Sequence, residues 1–433
     1  MSSTDDLRRA ERAFTDTDDA TPDQVKPLSA SGGNRLLSLD FTRGIAVMGI
    51  LAANIVAFGQ PMIAYMWPEG FLTPHGETSD WMWVAQFVLV DGKMRGLFTL
   101  LFGAGLILFL DRAWARGQGR WLQVRRLFWL FAFGYAHYLF AAKTDILALY
   151  AVCGLIALLF VKWKPKTQLI VGIVVYLLGA VKDTVVWGMV YAKSSGSMAD
   201  MAGEMRDAAI ADGRVETALI RAGDYGNWVS YNLAEHGTQP LLSWTQNTLE
   251  TIPLMLIGMA LYRLGLFDGR LDPRRQMLWG ASGVRVGLAG TLAVGLWAHA
   301  EGLSYMATLW SFDGTSRLAA LPMVVGLAAL LALWGPRAAG WLGRRISATG
   351  RMAFSNYLGT SILMLFVFHG WALGLFGELT RPALYGVMLA TWAIMLIWSP
   401  AWLARYRFGP LEWLWRCLTY MRIFPIRRER EPG

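Results

Sequence analysis

Ten long apolar segments in this chain are separated by gaps that alternate between arginine-rich and arginine-poor. They run at about 43 to 59, 92 to 110, 127 to 142, 145 to 161, 168 to 191, 244 to 262, 283 to 299, 317 to 335, 353 to 370 and 383 to 400. Most match the ~17 to 25 residues a helix needs to cross hydrocarbon. One set of gaps carries Arg112, Arg116, Arg120, Arg125 and Arg126, then Lys162, Lys164 and Lys166, then Arg263, Arg270, Arg274 and Arg275, then Arg337, Arg344, Arg345 and Arg351. The other set is nearly bare, with no Lys or Arg between Gln60 and Asp80 or between Ala300 and Ser316. Basic loops stay in the cytoplasm, so the alternation predicts an all-α, polytopic membrane protein of about ten spans with both termini cytoplasmic.

Composition agrees: the chain is 55% apolar and only 16% charged, with 21 tryptophans clustered toward the expected membrane interfaces. A net charge of +9 suits anionic headgroups rather than nucleic acid, because the excess sits in the cytoplasmic gaps. Nucleic acid is therefore excluded as a partner. Cys153 and Cys417 fall in different environments, which argues against a disulfide, and no metal site is suggested.

Three domain-level expectations follow. Residues 1–34 read as a disordered cytoplasmic tail without a signal peptide, 35–425 as the transmembrane domain, and 426–433 as a basic cytoplasmic tail. Residues 193–243 form the one long extracytoplasmic insertion, of helical composition, readable as a lid or as a spacer. Residues Phe408 to Tyr420 read as an interfacial amphipathic helix serving as an anchor.

Ionisable groups at membrane depth are costly and so become functional candidates. Asn54 lies eleven residues past Arg43 and His137 eleven past Arg126, each about 16 Å along a helix axis, which predicts one shared depth. His137 is the best candidate for a general base, with a structurally hydrogen-bonded core histidine as the competing reading. Asp145, eight residues later, either orients that imidazole or faces a helix dipole. Asp40 and Arg43 share a face at the inner mouth, as an ion pair or as part of a phosphate-binding lining with Arg125, Arg126 and Arg351. Lys93 and Arg95 are placed near the outer surface, either holding an anionic acceptor or snorkelling. Lys182 and Asp183, adjacent in the fifth segment, require partners on other helices. For His369, Ser355 and Asn356 the structural reading is preferred.

Taken together, Leu39-Asp40-Phe41-Thr42-Arg43-Gly44, Lys93-Met94-Arg95-Gly96-Leu97-Phe98, Thr144-Asp145-Ile146-Leu147, Gly350-Arg351-Met352-Ala353-Phe354-Ser355-Asn356-Tyr357-Leu358 and Arg407-Phe408-Gly409-Pro410-Leu411-Glu412-Trp413-Leu414-Trp415-Arg416 resemble the YeiB-like bacterial membrane proteins. These end in domain of unknown function 418, whose signature region here is about 245–425. Thr144 departs from the glycine usual before the aspartate. The resemblance extends to a wider group of transmembrane acyltransferases, and it implies a bacterial inner-membrane location and acyl transfer from a cytoplasmic acyl-CoA, such as acetyl-CoA, to an extracytoplasmic or membrane acceptor.

On that reading acyl-CoA is a co-substrate and no cofactor is permanently bound. His137 is the base, Asp145 its orienter and Asn54 the oxyanion donor. Arg43, Arg125, Arg126 and Arg351 hold donor phosphates, and Lys93 and Arg95 hold the acceptor. Expected partners are membrane lipids, a glycan, lipid or small-molecule acceptor, and a second copy of the chain in a homodimer. A transporter using the same polar residues, or a non-catalytic membrane organiser, are the alternatives.

Overall fold

The computed structural model describes residues 37–428. The expected tail 1–34 lies outside them, as do 429–433 of the basic tail. The described residues are helical throughout, with a lone bridge between Tyr406 and Arg427. Their main helices are α1 Leu37–Gly59, α2 Glu77–Leu89, α3 Lys93–Trp114, α4 Trp121–Phe140, α5 Leu147–Ala157, α6 Pro165–Lys193, α7 Ala199–Ala222, α8 Tyr225–His236, α9 Gln239–Arg263, α10 Pro273–Ala300, α11 Tyr305–Trp310, α12 Ser316–Trp334, α13 Trp341–Arg351, α14 Ala353–Phe368, α15 Arg381–Arg405 and α16 Pro410–Tyr420.

Six helical stretches are long and apolar enough to cross a membrane: α1, α2 with α3, α6, α10, α11 through α12, and α15. The pair α13 and α14, bent by 85°, makes a seventh if counted as one span. The third, fourth and sixth apolar segments are helical as well but do not meet the same standard. Polarity explains α4, which carries Arg125, Arg126 and His137, and α9, whose first half reads Gln-Pro-Leu-Leu-Ser-Trp-Thr-Gln-Asn-Thr-Leu-Glu. The fourth segment, Leu147–Phe160, is simply short.

Hydrophobic burial orders these helices. Within α1, 72% of the apolar window is buried inside the protein, against 17% for α10, so α1 is central and α10 peripheral. Backbone contact between α3 and α9 is close: a Cβ on Gly258 would sit 1.9 Å from the Leu100 carbonyl oxygen, and one on Gly103 would sit 2.2 Å from that of Met255. Small residues there replace the hydrophobic drive that lipid removes. The insertion folds as α7 and α8, which meet at Gly223 in the left-handed region, and Asp224 caps α8 by accepting from the Asn227 amide. It is tied to the loop between α14 and α15 by Arg221, which pairs with Glu378 at 2.7 Å and donates to the Phe376 and Gly377 carbonyls.

The C-terminal helix is more than a surface anchor. Glu412 of α16, half-buried, accepts from the Phe354 and Ser355 amides, and also bonds the Ser355 hydroxyl. It thereby caps the orphan N–H groups at the start of α14, just past the bend. Asn356 holds the other side of that bend, donating to the Thr349 carbonyl and Ser399 and accepting from Trp398 Nε1. Trp415 Nε1 donates to the Arg126 carbonyl, which ties α16 to α4.

Candidate active site

His137 occupies the last turn of α4, not its middle. Its Nδ1 lies 2.9 Å from Asp145 Oδ1, and both side chains are buried. The other carboxylate oxygen of Asp145 accepts from the Ala148 amide at 2.9 Å. Both roles read from the sequence therefore coexist: one oxygen caps the start of α5 and the other holds the imidazole. With Nδ1 donating to the carboxylate, Nε2 carries the lone pair, and that atom is buried without a hydrogen-bond partner. Such an imidazole is poised to take a proton.

Two further residues build this dyad. Gly134 lies one turn before His137, and a Cβ there would meet the Ala148 nitrogen at 2.3 Å and Asp145 Oδ2 at 2.8 Å. Only a residue without a side chain lets α5 start so close to α4. Tyr357 of α14 sets its ring, tilted by 51°, 5.2 Å from the His137 ring, accepts from the Ile146 amide and donates to the Thr144 carbonyl, both at 3.3 Å. The hydroxyl thus clasps the turn that carries Asp145. Tyr357 belongs to the motif around Asn356, whereas the role of Gly134 had no local signal.

Beside the dyad, Thr144 and Lys143 open onto a cavity of about 40 Å³ under the insertion, lined also by Phe58, Glu216, Trp228 and His369. Trp228 Nε1 and His369 Nδ1 are buried without hydrogen-bond partners. Lys143 reaches Glu216 at 3.2 Å and Asp212 at 3.9 Å. Asp212 also bonds His236 at 3.0 Å and the Tyr231 hydroxyl. The His236 hydrogen bond, ahead of the other contacts, pulls the Asp212 carboxyl down to about 2.

Asn54, in the C-terminal third of α1, is half-buried and makes no hydrogen bond among the described residues. At the opposite end, Arg43 stands 4.0 Å from Asp40. Arg126 is sandwiched between Phe109 and Trp415 at 4.7 and 4.3 Å, near enough to Arg43 and Arg416 for their charges to act on it. Arg125 is half-buried on the same turn of α4, and Arg351 ends α13 at the bend. Backbone contact between α1 and α13 is close, because a Cβ on Gly350 would sit 1.8 Å from the Asp40 carbonyl oxygen.

Lys93 and Arg95 do not act together. Lys93 is fully buried and donates to the Phe87 carbonyl at 2.5 Å. Arg95 Nη2 donates to both carboxylate oxygens of Glu250, at 2.8 and 2.7 Å. Glu250 also stands 3.6 Å from Arg317, which pairs with Asp183 and lies 3.7 Å from Asp313. Asp183 thereby finds the partner on another helix that its depth requires, besides Lys182 at 2.9 Å. Helix α11 continues through a π turn, Ser311–Thr315, into α12, so Arg317 lies within one long helical stretch rather than at a span end. Glu250 was legible as a lone charge in the sixth apolar segment.

A family model described as a protein of unknown function, DUF418, matches residues 261–422. The chain is 32% identical over 398 residues to the uncharacterized protein YeiB of Escherichia coli K12, covering 89% of this chain and 96% of that one. It is 28% identical over 415 residues to the uncharacterized protein YxaH of Bacillus subtilis 168, covering 91% and 96%. An uncharacterized 39.9 kDa protein from the amylase 3' region of Bacillus acidopullulyticus is 27% identical over 405 residues, covering 92% and 97%. No solved structure matches.

Proposed function

Since the chain belongs to the YeiB-like DUF418 family, we propose that this membrane protein is an acyltransferase, moving an acyl group, acetyl in the leading case, from a cytoplasmic acyl-CoA to an extracytoplasmic or membrane acceptor. The observation that carries the reading is the buried His137–Asp145 pair with an unpartnered Nε2. In this reading ten helices cross the inner membrane and both termini are cytoplasmic, as the arginine alternation requires.

His137 Nε2 takes the proton from an acceptor hydroxyl or amine, while Asp145 stabilises the imidazolium that forms. The acceptor atom attacks the thioester carbonyl, the carbon–sulfur bond breaks, and the thiolate leaves with the proton returned by the imidazolium. Asn54 donates to the oxyanion, and Arg43, Arg125, Arg126 and Arg351 hold the donor's phosphates. Arg126 and His137 are eleven residues apart on one helix, so the thioester arm spans about 16 Å from mouth to base. The cavity by Thr144 is the acceptor's approach from the outer side.

Replacing His137 with Ala abolishes transfer from labelled acetyl-CoA in proteoliposomes while melting stays close to that of the parent. Unchanged turnover overturns the assignment. A second reading, a transporter, draws on the network of Arg95, Glu250, Arg317, Asp183 and Asp313, because charges within spanning helices often mark substrate or ion paths. Vesicle uptake that consumes no thioester and is lost on replacing Glu250 selects it instead.

A further inference from the structure

Helices α3 and α15 start at buried cations, Lys93 and Arg381, which are 0% and 1% exposed. Arg381 Nη1 donates to Gln86 Oε1 at 3.3 Å, and its guanidinium stacks on Phe71 at 4.7 Å. Its Nε and Nη2 are buried with no hydrogen-bond partner among the described residues. These two atoms form the side-on fork of a guanidinium, whose parallel N–H bonds match the two oxygens of a carboxylate or phosphate.

The nearby groups do not close that fork. Gln86 is spent, its amide nitrogen on the Ala53 carbonyl and Asp91 and its oxygen on Arg381 and the Tyr385 hydroxyl. Asp91 feels both Lys93 and Arg381 but comes within 4 Å of neither cation. Asp80, the other carboxylate acting on Arg381, is committed to His75. Two buried cations therefore face one nearby carboxylate, and burial makes an uncompensated charge and two orphan donors costly.

We infer that Arg381 binds a small oxyanion, a carboxylate or phosphate group seated side-on against Nε and Nη2. The N-terminus of α15, where Arg381 sits, adds to the positive potential there. The site stands on different residues from the His137 dyad and does not depend on acyl transfer.

The test is thermal unfolding of the purified full chain against increasing acetate or inorganic phosphate, with ionic strength held constant by chloride. The wild type shows a saturable rise in midpoint with an oxyanion beyond that in chloride. Arg381→Lys keeps the charge but removes the fork, and weakens that binding at least about tenfold. Equal binding by Arg381→Lys overturns the assignment. So does a wild type whose midpoint is the same in acetate, phosphate and chloride and is also unmoved by phosphatidylglycerol in nanodiscs, which decides the matter even if the variant fails to fold. If the response to free anions is absent but appears with phosphatidylglycerol in nanodiscs and is lost in Arg381→Lys, the oxyanion is a lipid phosphate.

Discussion

Gly134→Ala tests the geometry of the dyad without touching either member. The added Cβ lies 2.3 Å from the Ala148 nitrogen, and ordinary contact needs about 3.4 Å, so the start of α5 has to move about 1 Å. The move draws on the 2.9 Å bond between Asp145 and His137, because Asp145 is held to the same Ala148 amide. Overpacking of this kind costs roughly 1 to 3 kcal/mol of stability. A 1 Å displacement of a catalytic group lowers turnover by about a hundredfold. Gly359→Ala is the control: it also lies in a helix, and its Cβ meets nothing within 4 Å. That control leaves activity intact and stability equal or raised by about 0.5 to 1 kcal/mol. Unfolding midpoints and acetyl-CoA turnover are compared for both variants in one detergent. If Gly134→Ala melts and turns over like the Gly359→Ala control, the backbone approach does not position the dyad and the reasoning fails.

Other perturbations address separate links. Tyr357→Phe removes the hydroxyl that clasps Thr144 and Ile146, and costs about 1 to 2 kcal/mol with a loss of turnover that exceeds any change in KM; a change in KM alone counts against a positioning role. Glu250→Gln breaks the pair with Arg95 and costs roughly 3 kcal/mol, the low end for a buried pair because the Arg95 side chain is 36% exposed; Arg95→Ala combined with it adds little more, as a double-mutant cycle shows. Asp212 has a folded pKa pulled down from 3.8 to about 2, so its stabilisation is complete above about pH 4 and disappears as pH falls toward 2. Hydrogen exchange in α7 and α8 rises across that window in the parent, and Asp212→Asn flattens the dependence.

Much of the helical architecture was readable from apolar runs, because a hydrophobic segment bounded by arginines has few alternatives to a helix in or at a membrane. The terminal signature was readable as a motif, but its work was not. Glu412 caps α14 from more than fifty residues away, and Tyr357 clasps a turn some two hundred residues earlier. Lys93 and Arg95 looked alike in sequence as neighbouring cations, yet the two-residue step, about 200° around the helix, sends the first to the Phe87 carbonyl and the second to Glu250.

The sequence by itself determined the solvent: long apolar runs and the one-sided distribution of arginine follow from the cost of placing charge and open backbone in hydrocarbon. It also brought His137 and Asp145 under suspicion, because eight residues across a short turn leave them little room to part. Tertiary structure decided which polar groups meet. A close approach at Gly134 sets the dyad, and the fold gathers Arg95, Glu250 and Arg317 from three helices into one network. Pairing across helices depends on the rotation of each helix about its axis and on backbone contact at single glycines, and neither leaves a periodic trace in the chain.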